Sequence, residues 1–448
     1  MKNQNDEKPW YQAVSKKHKK IERAEKNAVS ERRAKMDSGQ NPRTENRGRI
    51  AKIVSRKPMF EAENLSADAK NILENFDSII QGVRPLSAKA RSLLSRDILS
   101  LSRSLTSERG GRRMGYMNDA ASLTAYAHYF VWWNLVRLTR LFASLDENAL
   151  SLSDGDYCLD IGSGPLTAVI ALYLARPELR AKKLSWYCLD YSQSALSLGE
   201  DLFLSVASKL QENGENWKIV RVKGGLGTAI KHKAALVTCA NMMNETFSDG
   251  ANLEQLAKKH ALSLMSYCDT GSEENRKSPY IFVSEPGVPQ SARFISLLRD
   301  ALISRSYGII APCPHFSECP MDGRKHGKNG KWCNFAFDTT DAPKKLLQLS
   351  QNAKLPKDRA VLSFVFARLG QKAPDAPLFR IASDEIRLER GKIGHYACTG
   401  AGLMLVAEKN ASALSSGDLV ELDLKKIDVK ELSRDEKSGA LIQNIGTV

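Results

Sequence analysis

One short segment of this chain constrains its fold more than any other: an apolar, strand-like run that passes through two glycines into a helical run. The apolar run covers residues 157–161, the glycines are Gly162 and Gly164, and the helix starts near Leu166. Glycine lets a backbone approach a ligand closely, and the free N–H groups at a helix start favour a polar ligand. This order predicts one strand–turn–helix unit of a parallel sheet, with a ligand site at the edge of the sheet.

After Leu152, short apolar runs alternate with helical segments, which is the pattern of parallel strands joined by covering helices. Five strands are predicted at residues 157–161, 184–190, 217–222, 235–240 and 280–284. After a break, residues 361–369 and 402–407 are predicted to resume the same sheet. The predicted fold class is therefore α/β, a sheet with helices on both faces.

The chain is predicted to divide into four regions. Residues 1–57 carry 17 Lys or Arg against 7 Asp or Glu, so we expect a basic arm that is disordered or loosely helical. Residues 58–150 repeat apolar side chains at helical spacing, which predicts a helical region. The α/β domain is placed at residues 151–410 with a cysteine-rich insertion at 309–341, and residues 411–448 are interpreted as a small strand-bearing extension.

The formal net charge of +15 at pH 7 predicts a polyanionic partner, because Lys and Arg concentrate phosphate-bearing chains around a protein. We favour nucleic-acid binding by the arm over a purely solubilising role, since most of the excess charge lies there. The apolar runs are far shorter than the roughly 20 residues of a membrane span, and the polar start of the chain lacks a secretory or transit signal. We expect a cytoplasmic protein with no membrane partner; the oligomeric state is left open, with a monomer expected.

A carboxylate at a second strand end supports the ligand site. Asp190 ends the second predicted strand, where a carboxylate can accept hydrogen bonds from ribose hydroxyls. Residues 159–164 and Leu189-Asp190 resemble the first two motifs of class I methyltransferases, whose Rossmann-like sheet binds S-adenosylmethionine. Over about residues 157–407, this resemblance implies a cofactor site made by Asp160, Gly162, Ser163, Gly164 and Asp190.

The residues alone also allow two other interpretations of this loop. A nicotinamide-binding domain would have a third glycine at the position where this chain has Thr167. The loop could also be a tight strand–helix turn that binds nothing.

An aromatic-rich helix is predicted at about residues 120–145. Its rings, at Tyr126, Tyr129, Phe130, Trp132 and Trp133, could cover a cofactor pocket or stack on bases. Packing in the core is the favoured interpretation.

Candidate catalytic residues follow the fourth predicted strand, where class I enzymes commonly place residues that face the substrate. Asn241, Asn244 and Glu245 could bind polar groups of a substrate or accept a proton, or could cap the following helix. Glu285, after the fifth strand, is a similar acid beside the expected cleft. No familiar acid–base pair is present. Methyl transfer from a sulfonium requires mainly that the acceptor is aligned with the leaving sulfur, so methyltransferase activity is still expected.

Four cysteines form a candidate metal site. Cys313, Cys319 and Cys333 lie in a segment too poor in apolar residues to hold its own shape, and Cys398 follows it. Four thiolates fit zinc or a [4Fe–4S] cluster, with His315 and His395 as substitute zinc ligands, and spacing alone does not decide. The cysteines could also bind nothing. The other four, Cys158, Cys188, Cys239 and Cys268, are predicted to be buried.

The Asp160 loop, residues 240–245, residues 284–287 and the cysteine pattern together resemble the methyltransferase-like proteins associated with the small ribosomal subunit. Mitochondrial members of that family are assembly factors. The resemblance covers about residues 116–407 and implies small-subunit rRNA as partner, with a [4Fe–4S] cluster at Cys313, Cys319, Cys333 and Cys398. This chain departs from the family in its longer gap between Cys319 and Cys333, its basic arm and its C-terminal extension.

Three functions follow from the sequence. The expected one is an rRNA methyltransferase. The alternatives are a non-catalytic ribosome assembly factor, and a zinc-containing methyltransferase of a protein or small molecule. The basic arm and the aromatic-rich helix argue against the last alternative.

Overall fold

The computed structural model describes residues 50–106, 115–212, 214–247, 250, 252–323, 330–409, 414–423 and 432–446, so most of the predicted basic arm lies outside the described residues. The strands are β1 (Ile53–Lys57), β2 (Tyr157–Ile161), β3 (Leu184–Asp190), β4 (Trp217–Lys223), β5 (Leu236–Ala240), β6 (Tyr280–Pro286), β7 (Tyr307–Ala311), β8 (Phe335–Asp338), β9 (Arg359–Leu369), β10 (Leu378–Ile381), β11 (Ile386–Arg387), β12 (Lys392–Thr399), β13 (Gly402–Lys409), β14 (Leu419–Leu422) and β15 (Leu441–Asn444). The α-helices are α1 (Ala67–Glu74), α2 (Phe76–Val83), α3 (Ala88–Leu105), α4 (Ala120–Ala125), α5 (Trp132–Ala143), α6 (Thr167–Ala175), α7 (Pro177–Arg180), α8 (Gln193–Lys209), α9 (Leu253–Tyr267), α10 (Pro289–Ile303) and α11 (Lys344–Asn352).

The main sheet has eight strands in the order β4-β3-β2-β5-β6-β9-β7, with β8 also paired to β9. Strands β2 to β6 are parallel, whereas β9 runs antiparallel to β6, β7 and β8. The five parallel strands lie where they were predicted, within two residues at either end. Their order is that of a Rossmann-like sheet, and the predicted α/β fold class is confirmed.

Alternate residues of β6 show how both faces of this sheet are buried. Phe282 packs against α5, with the Phe142 ring centroid 4.8 Å away. Ile281 and Val283 belong instead to the cluster formed with α9 and α10. Because helices cover both faces, the inner parallel strands β2, β3, β5 and β6 are mostly apolar and buried, whereas the edge strand β4 carries exposed charged side chains. Among the described helices, none combines the length and the apolar composition of a membrane span.

The helical region forms a layer on the α5 face of the sheet. Trp132 donates to the Leu73 carbonyl at 2.7 Å and Trp133 donates to Ser350 Oγ at 3.1 Å, so both indoles are buried with their N–H groups satisfied. These two rings and the buried Tyr129 ring therefore pack in the core, which was the favoured interpretation. Between α4 and α5, a π-helical turn at Tyr126–Val131 interrupts the α-helix, a feature that often lies at functional sites.

A second sheet has the order β1-β14-β10-β12-β13-β15, with β11 paired to β12. The prediction that residues 402–407 resume the main sheet is wrong, because β13 pairs with β12 and β15. The apolar pattern of a strand does not state which sheet it joins. Here a tight hairpin, in which Thr399 pairs with Gly402, connects β13 to β12, so the two strands lie in the same sheet.

The predicted arm also needs correction at its end. Residues 53–57 are not disordered or helical but form β1, which pairs antiparallel with β14. Lys57 and Leu419 are register partners, so the pairing is very distant in sequence. A charged strand at a sheet edge has little local signal, which is why composition predicted no structure here.

The bounds predicted for the cysteine-rich insertion, residues 309–341, need correction, because this range includes parts of two strands of the main sheet. Residue 309 lies in β7, and β8 begins at Phe335. Between them the described chain folds back on itself: Gly323 donates to the Lys331 carbonyl at 3.0 Å and Cys333 donates to the Met321 carbonyl at 2.9 Å.

The packing of α9 gives a matched pair of leucines for a test of the core. Leu264 is fully buried against the sheet, whereas Leu262, on the same helix, is 51% exposed. We expect Leu264→Ala to lower the free energy of unfolding by about 2–5 kcal/mol. Leu262→Ala should change it by no more than about 0.5 kcal/mol. Urea denaturation measures both, and equal effects would contradict the assigned faces of α9.

Candidate functional site

A cavity of about 780 Å³ opens at the carboxyl ends of β2, β3 and β5. The strand order reverses at β2, and ligands of open α/β sheets bind at such a switch point. The volume is within the range of cofactor sites, roughly 300–1,000 Å³. Three of the predicted cofactor residues line this cavity: Gly162, Gly164 and Asp190.

The two glycines have a backbone that other residues rarely adopt. Their φ angles are 69° for Gly162 and 49° for Gly164. A Cβ atom on Gly162 would lie 2.5 Å from Cγ of Met242, which itself lines the cavity. The turn therefore depends on glycine for both its backbone and its clearance.

Asp190 holds the turn against the end of β3. Its Oδ2 accepts the Gly164 N–H at 2.9 Å and its Oδ1 accepts the Ser192 N–H at 2.8 Å. Burial raises the pKa of this carboxyl, and these N–H donors act in the opposite direction. Ser192 also donates to Oδ1 of Asn118 at 2.9 Å, which connects the turn to the helical layer.

Asp160, in β2, and Ser163, within the turn, are buried and are not among the residues that line the cavity. Asp160 accepts from Thr238 Oγ1 at 2.6 Å, and its Oδ2 is buried without a partner in the structure. Ser163 Oγ donates to the Asp160 carbonyl at 3.0 Å. Direct contact of these two residues with a cofactor stays a prediction.

The three catalytic candidates separate into two groups. Asn241 and Glu245 line the cavity, and Asn241 has a left-handed φ of 58°, as is common for strained residues at functional sites. Asn244 is instead 4% exposed and donates from Nδ2 to Oε2 of Glu285 at 2.5 Å. Its contact to Glu285 makes Asn244 part of the support of the cavity wall.

Glu285 is fully buried and supports the same loop. Its Oε1 accepts the Met243 N–H at 2.8 Å, and its Oε2 accepts the Asn244 N–H at 3.2 Å. Burial raises the pKa of this carboxyl to about 7, although its hydrogen bonds act in the opposite direction. The acid predicted to face the cleft therefore anchors residues 243 and 244.

Sequence reasoning missed much of the cavity wall. Tyr116 and Met117 line it from the helical layer, and Lys259 and His260 line it from α9. These residues reach the cavity only through packing between distant segments, so no local pattern marks them. Tyr126 was one of the aromatics considered for a pocket, and it does line the cavity, at the start of the π-helical turn.

The four cysteines of the candidate metal site come from both sheets. Cys313 follows β7, Cys319 lies in the next loop, Cys333 precedes β8, and Cys398 is in β12 of the second sheet. Burial raises the pKa of the Cys398 thiol well above its ordinary range, and Cys313, Cys319 and Cys333 raise it further. The remaining four cysteines are buried, as predicted.

Two further contacts surround these thiols. Arg299 Nε donates to Cys313 Sγ at 3.1 Å, and His315 Nε2 lies 3.1 Å from Cys398 Sγ. His395 was the second candidate substitute for a zinc ligand, and its Nδ1 lies 3.2 Å from the Ser383 carbonyl oxygen. Within the described residues, no group of three or more His, Cys, Asp or Glu side chains is arranged to hold a metal ion. The metal site therefore stays a prediction.

Asp160 gives a pH-dependent prediction. Burial raises the pKa of its carboxyl to about 6 from 3.8, so the folded protein holds this proton more tightly than the unfolded chain does. The wild type should lose about 2 kcal/mol of unfolding free energy relative to Asp160→Asn as pH rises from about 4 to 6. Urea denaturation across this range measures the difference. Asp201→Asn, at an exposed residue of α8, is the control, and parallel curves for wild type and Asp160→Asn would contradict the expectation.

Several solved structures are similar to this chain at low identity. The YjhP protein of E. coli is 12% identical with a TM-score of 0.30, over 61% of this chain and 99% of that chain. A precorrin-6y C5,15-methyltransferase from Geobacter metallireducens is 12% identical with a TM-score of 0.27, over 50% and 84%. A putative RNA methyltransferase from Pyrococcus horikoshii is 10% identical with a TM-score of 0.27, over 53% and 83%. TM-scores this low add nothing to what the strand order shows.

No curated protein sequence gives a significant match. A family model described as mitochondrial small ribosomal subunit Rsm22 matches residues 123–382, more than half of the chain. The matched residues include every strand of the main sheet, the glycine turn and three of the four cysteines, while Cys398 lies beyond them. The resemblance predicted from the sequence motifs is confirmed: this chain belongs to the Rsm22 family.

Proposed function

We propose that this protein binds S-adenosylmethionine in the cavity at the Gly162 turn and methylates rRNA of the small ribosomal subunit. The observation that carries the proposal is the meeting of Gly162, Gly164 and Asp190 at the switch point of a Rossmann-like sheet. Family membership supports the small subunit as the partner. The net charge of +15 supports contact with RNA.

The described residues fit this cofactor in chemistry and in space. Gly162 lines the cavity without a side chain, so its backbone can lie directly against a ligand. The Asp190 carboxylate lines the cavity and would accept ribose hydroxyls. Asp160 has a buried oxygen with no partner, which could accept from the amino group of the cofactor directly or through water.

When bound, S-adenosylmethionine supplies a methyl group on a positively charged sulfur. The residues of this chain would bind and align the acceptor. Asn241 and Glu245 offer polar groups at the end of β5, and Tyr126 and Phe247 offer aromatic surfaces for a flat base. Glu285 keeps residues 243 and 244 in place from below. Alignment alone can supply much of the rate, so a dedicated base is not required.

A non-catalytic assembly factor is the second candidate. The engagement of Asn244 by Glu285 favours it, because only two of the three catalytic candidates then line the cavity. In that case the cofactor would act as a structural ligand that orders the cavity wall.

Replacement of Gly162 by alanine tests cofactor binding. The new Cβ would meet Met242, so we expect Gly162→Ala to weaken S-adenosylmethionine binding about tenfold or more, measured by calorimetry. Gly155→Ala is the matched control, since Gly155 also has a positive φ, of 85°, but has no atom within 4 Å of its Cβ position. Equal binding by both variants would count against the site.

Tritiated S-adenosylmethionine and purified small subunits separate the candidate functions. Label in rRNA that is lost in Gly162→Ala indicates a methyltransferase. Subunit binding without label indicates an assembly factor. Label in a protein or small molecule without ribosomes would overturn the rRNA proposal.

We also propose that Cys313, Cys319, Cys333 and Cys398 hold a [4Fe–4S] cluster. The support is the resemblance of this cysteine pattern to that of the family, together with two contacts: Arg299 Nε donates to Cys313 Sγ at 3.1 Å, and His315 Nε2 lies 3.1 Å from Cys398 Sγ. The cluster would bind one thiolate at each iron, whereas one zinc ion would draw all four sulfurs to about 2.3 Å from a single point. It would supply a rigid link between the loops of the two sheets.

Anaerobic purification with metal and sulfide analysis tests this site. We expect about four irons and four sulfides per chain in the wild type and loss of both in Cys319→Ser. Cys268→Ser is the control, because Cys268 is a buried cysteine outside the set. One zinc per chain would support the zinc alternative, and a metal-free wild type would contradict any metal site.

A further inference from the structure

Three aromatic rings, those of Tyr116, Tyr126 and Phe130, form a continuous row at the π-helical turn. The Tyr116 and Tyr126 ring centroids are 6.5 Å apart, and the Tyr126 and Phe130 rings are stacked with their centroids 5.5 Å apart. All three side chains are partly exposed. Unlike the core rings of the same helical segment, the rings of this aromatic row retain surface that another molecule can contact.

One end of the aromatic row lies in the proposed cofactor cavity, because Tyr116 and Tyr126 line that cavity. Phe130 is not among the lining residues, and it follows Tyr126 by four residues within the π-helical turn. The row therefore leads from the cavity along the outside of the helical layer.

Two cations lie beyond the other end of the aromatic row. Arg137 follows Trp133 by four residues on α5, so the two side chains are neighbours on the helix surface. Lys357 Nζ lies 5.7 Å from the centroid of the Trp133 ring and 5.8 Å from that of the Tyr129 ring. The Tyr129 ring meets the Phe130 ring edge to face, with the centroids 5.0 Å apart. The cations are thus connected to the aromatic row through packed rings.

In the described part of the chain, neither Arg137 nor Lys357 forms an ion pair with a carboxylate. Arg137 Nη1 donates to the side-chain oxygen of Asn134 at 2.6 Å, while Arg137 Nε is buried without a hydrogen-bond partner. Burial, together with the charge of Arg137, lowers the pKa of Lys357 to about 8. Because a partly buried cation is costly without an anion, the pair favours an anion supplied by another molecule.

We infer that the aromatic row and the two cations, Arg137 and Lys357, form a track that binds single-stranded RNA and delivers its acceptor base to the cavity. The inference rests on the proposed function, whose rRNA substrate it restricts to an unpaired segment. Unpaired bases stack on aromatic rings while cations bind the backbone phosphates, and this track offers both in sequence. A base-paired strand is a poor fit, since its bases already stack on each other and cannot enter the cavity.

Fluorescence anisotropy of the full chain with a labelled single-stranded RNA of about 12 nucleotides tests the track over a range of salt concentrations. Phe130→Leu keeps an apolar side chain but removes the stacking face, so Kd should rise about tenfold at fixed salt. Arg137→Gln and Lys357→Gln each remove one phosphate contact, so each should reduce the slope of log K against log salt by about 0.7.

Two matched variants are the controls. Lys218→Gln changes an exposed lysine of β4, and Phe316→Leu changes a partly exposed phenylalanine of the loop after β7. Both should leave the Kd and the salt slope at the wild-type values. Urea denaturation should show Arg137→Gln and Lys357→Gln to be no less stable than the wild type, because each removes an uncompensated charge.

The outcomes separate the track from the proposed function. Wild-type binding by all three track variants would overturn the track and leave the rRNA methyltransferase standing. Weaker binding by these variants, in a protein that transfers no methyl group, would support the track and overturn catalysis. Equal binding of a duplex of the same sequence would overturn the restriction to unpaired RNA, and a wild type that binds no RNA would overturn both proposals. If Phe130→Leu does not fold, the salt slopes of Arg137→Gln and Lys357→Gln decide.

Discussion

The parallel pairing of β2 with both β3 and β5 is the interaction on which the rest of the site depends. It makes β2 the strand where the sheet order reverses, so the loops after three strands diverge and leave a cavity. Side chains reinforce the pairing at the same level: Thr238 of β5 donates to Asp160 of β2 at 2.6 Å. Asp190, at the end of β3, then holds the glycine turn through the Gly164 N–H.

The cysteine site depends on a different constraint, the contact between the two sheets. Three cysteines lie in loops of the main sheet, and β12 places Cys398 beside His315 of the loop that follows β7. Arg380 fastens this contact, because its guanidinium joins the Pro312 carbonyl beside Cys313 to the Gly417 carbonyl before β14. The proposed cluster would add a covalent link at the same place, so metal binding and the docking of the second sheet would be coupled.

The predictable part of the site is the part encoded over a few adjacent residues. The turn at Gly162 and the acid Asp190 could be predicted from short motifs. Glycine after a strand allows close approach of the backbone to a ligand, and a carboxylate at a strand end can accept hydrogen bonds from ribose hydroxyls. Asn244 and Glu285 could not be assigned, because the same residue types serve equally to face a ligand or to support a loop. Tyr116 and His260 had no signal at all, since their place in the wall depends on packing between segments far apart in the chain.

By itself, the sequence determined the α/β class, the five parallel strands and the glycine turn, because hydrophobic periodicity and backbone restrictions act over a few residues. Only the tertiary structure decided that residues 53–57 and 402–409 belong to a second sheet, that the Glu285 carboxylate binds the loop at residues 243 and 244, and that Arg299 is buried against Cys313. Strand partners and the compensation of buried charge are set by contacts between distant residues, and local pattern does not contain them.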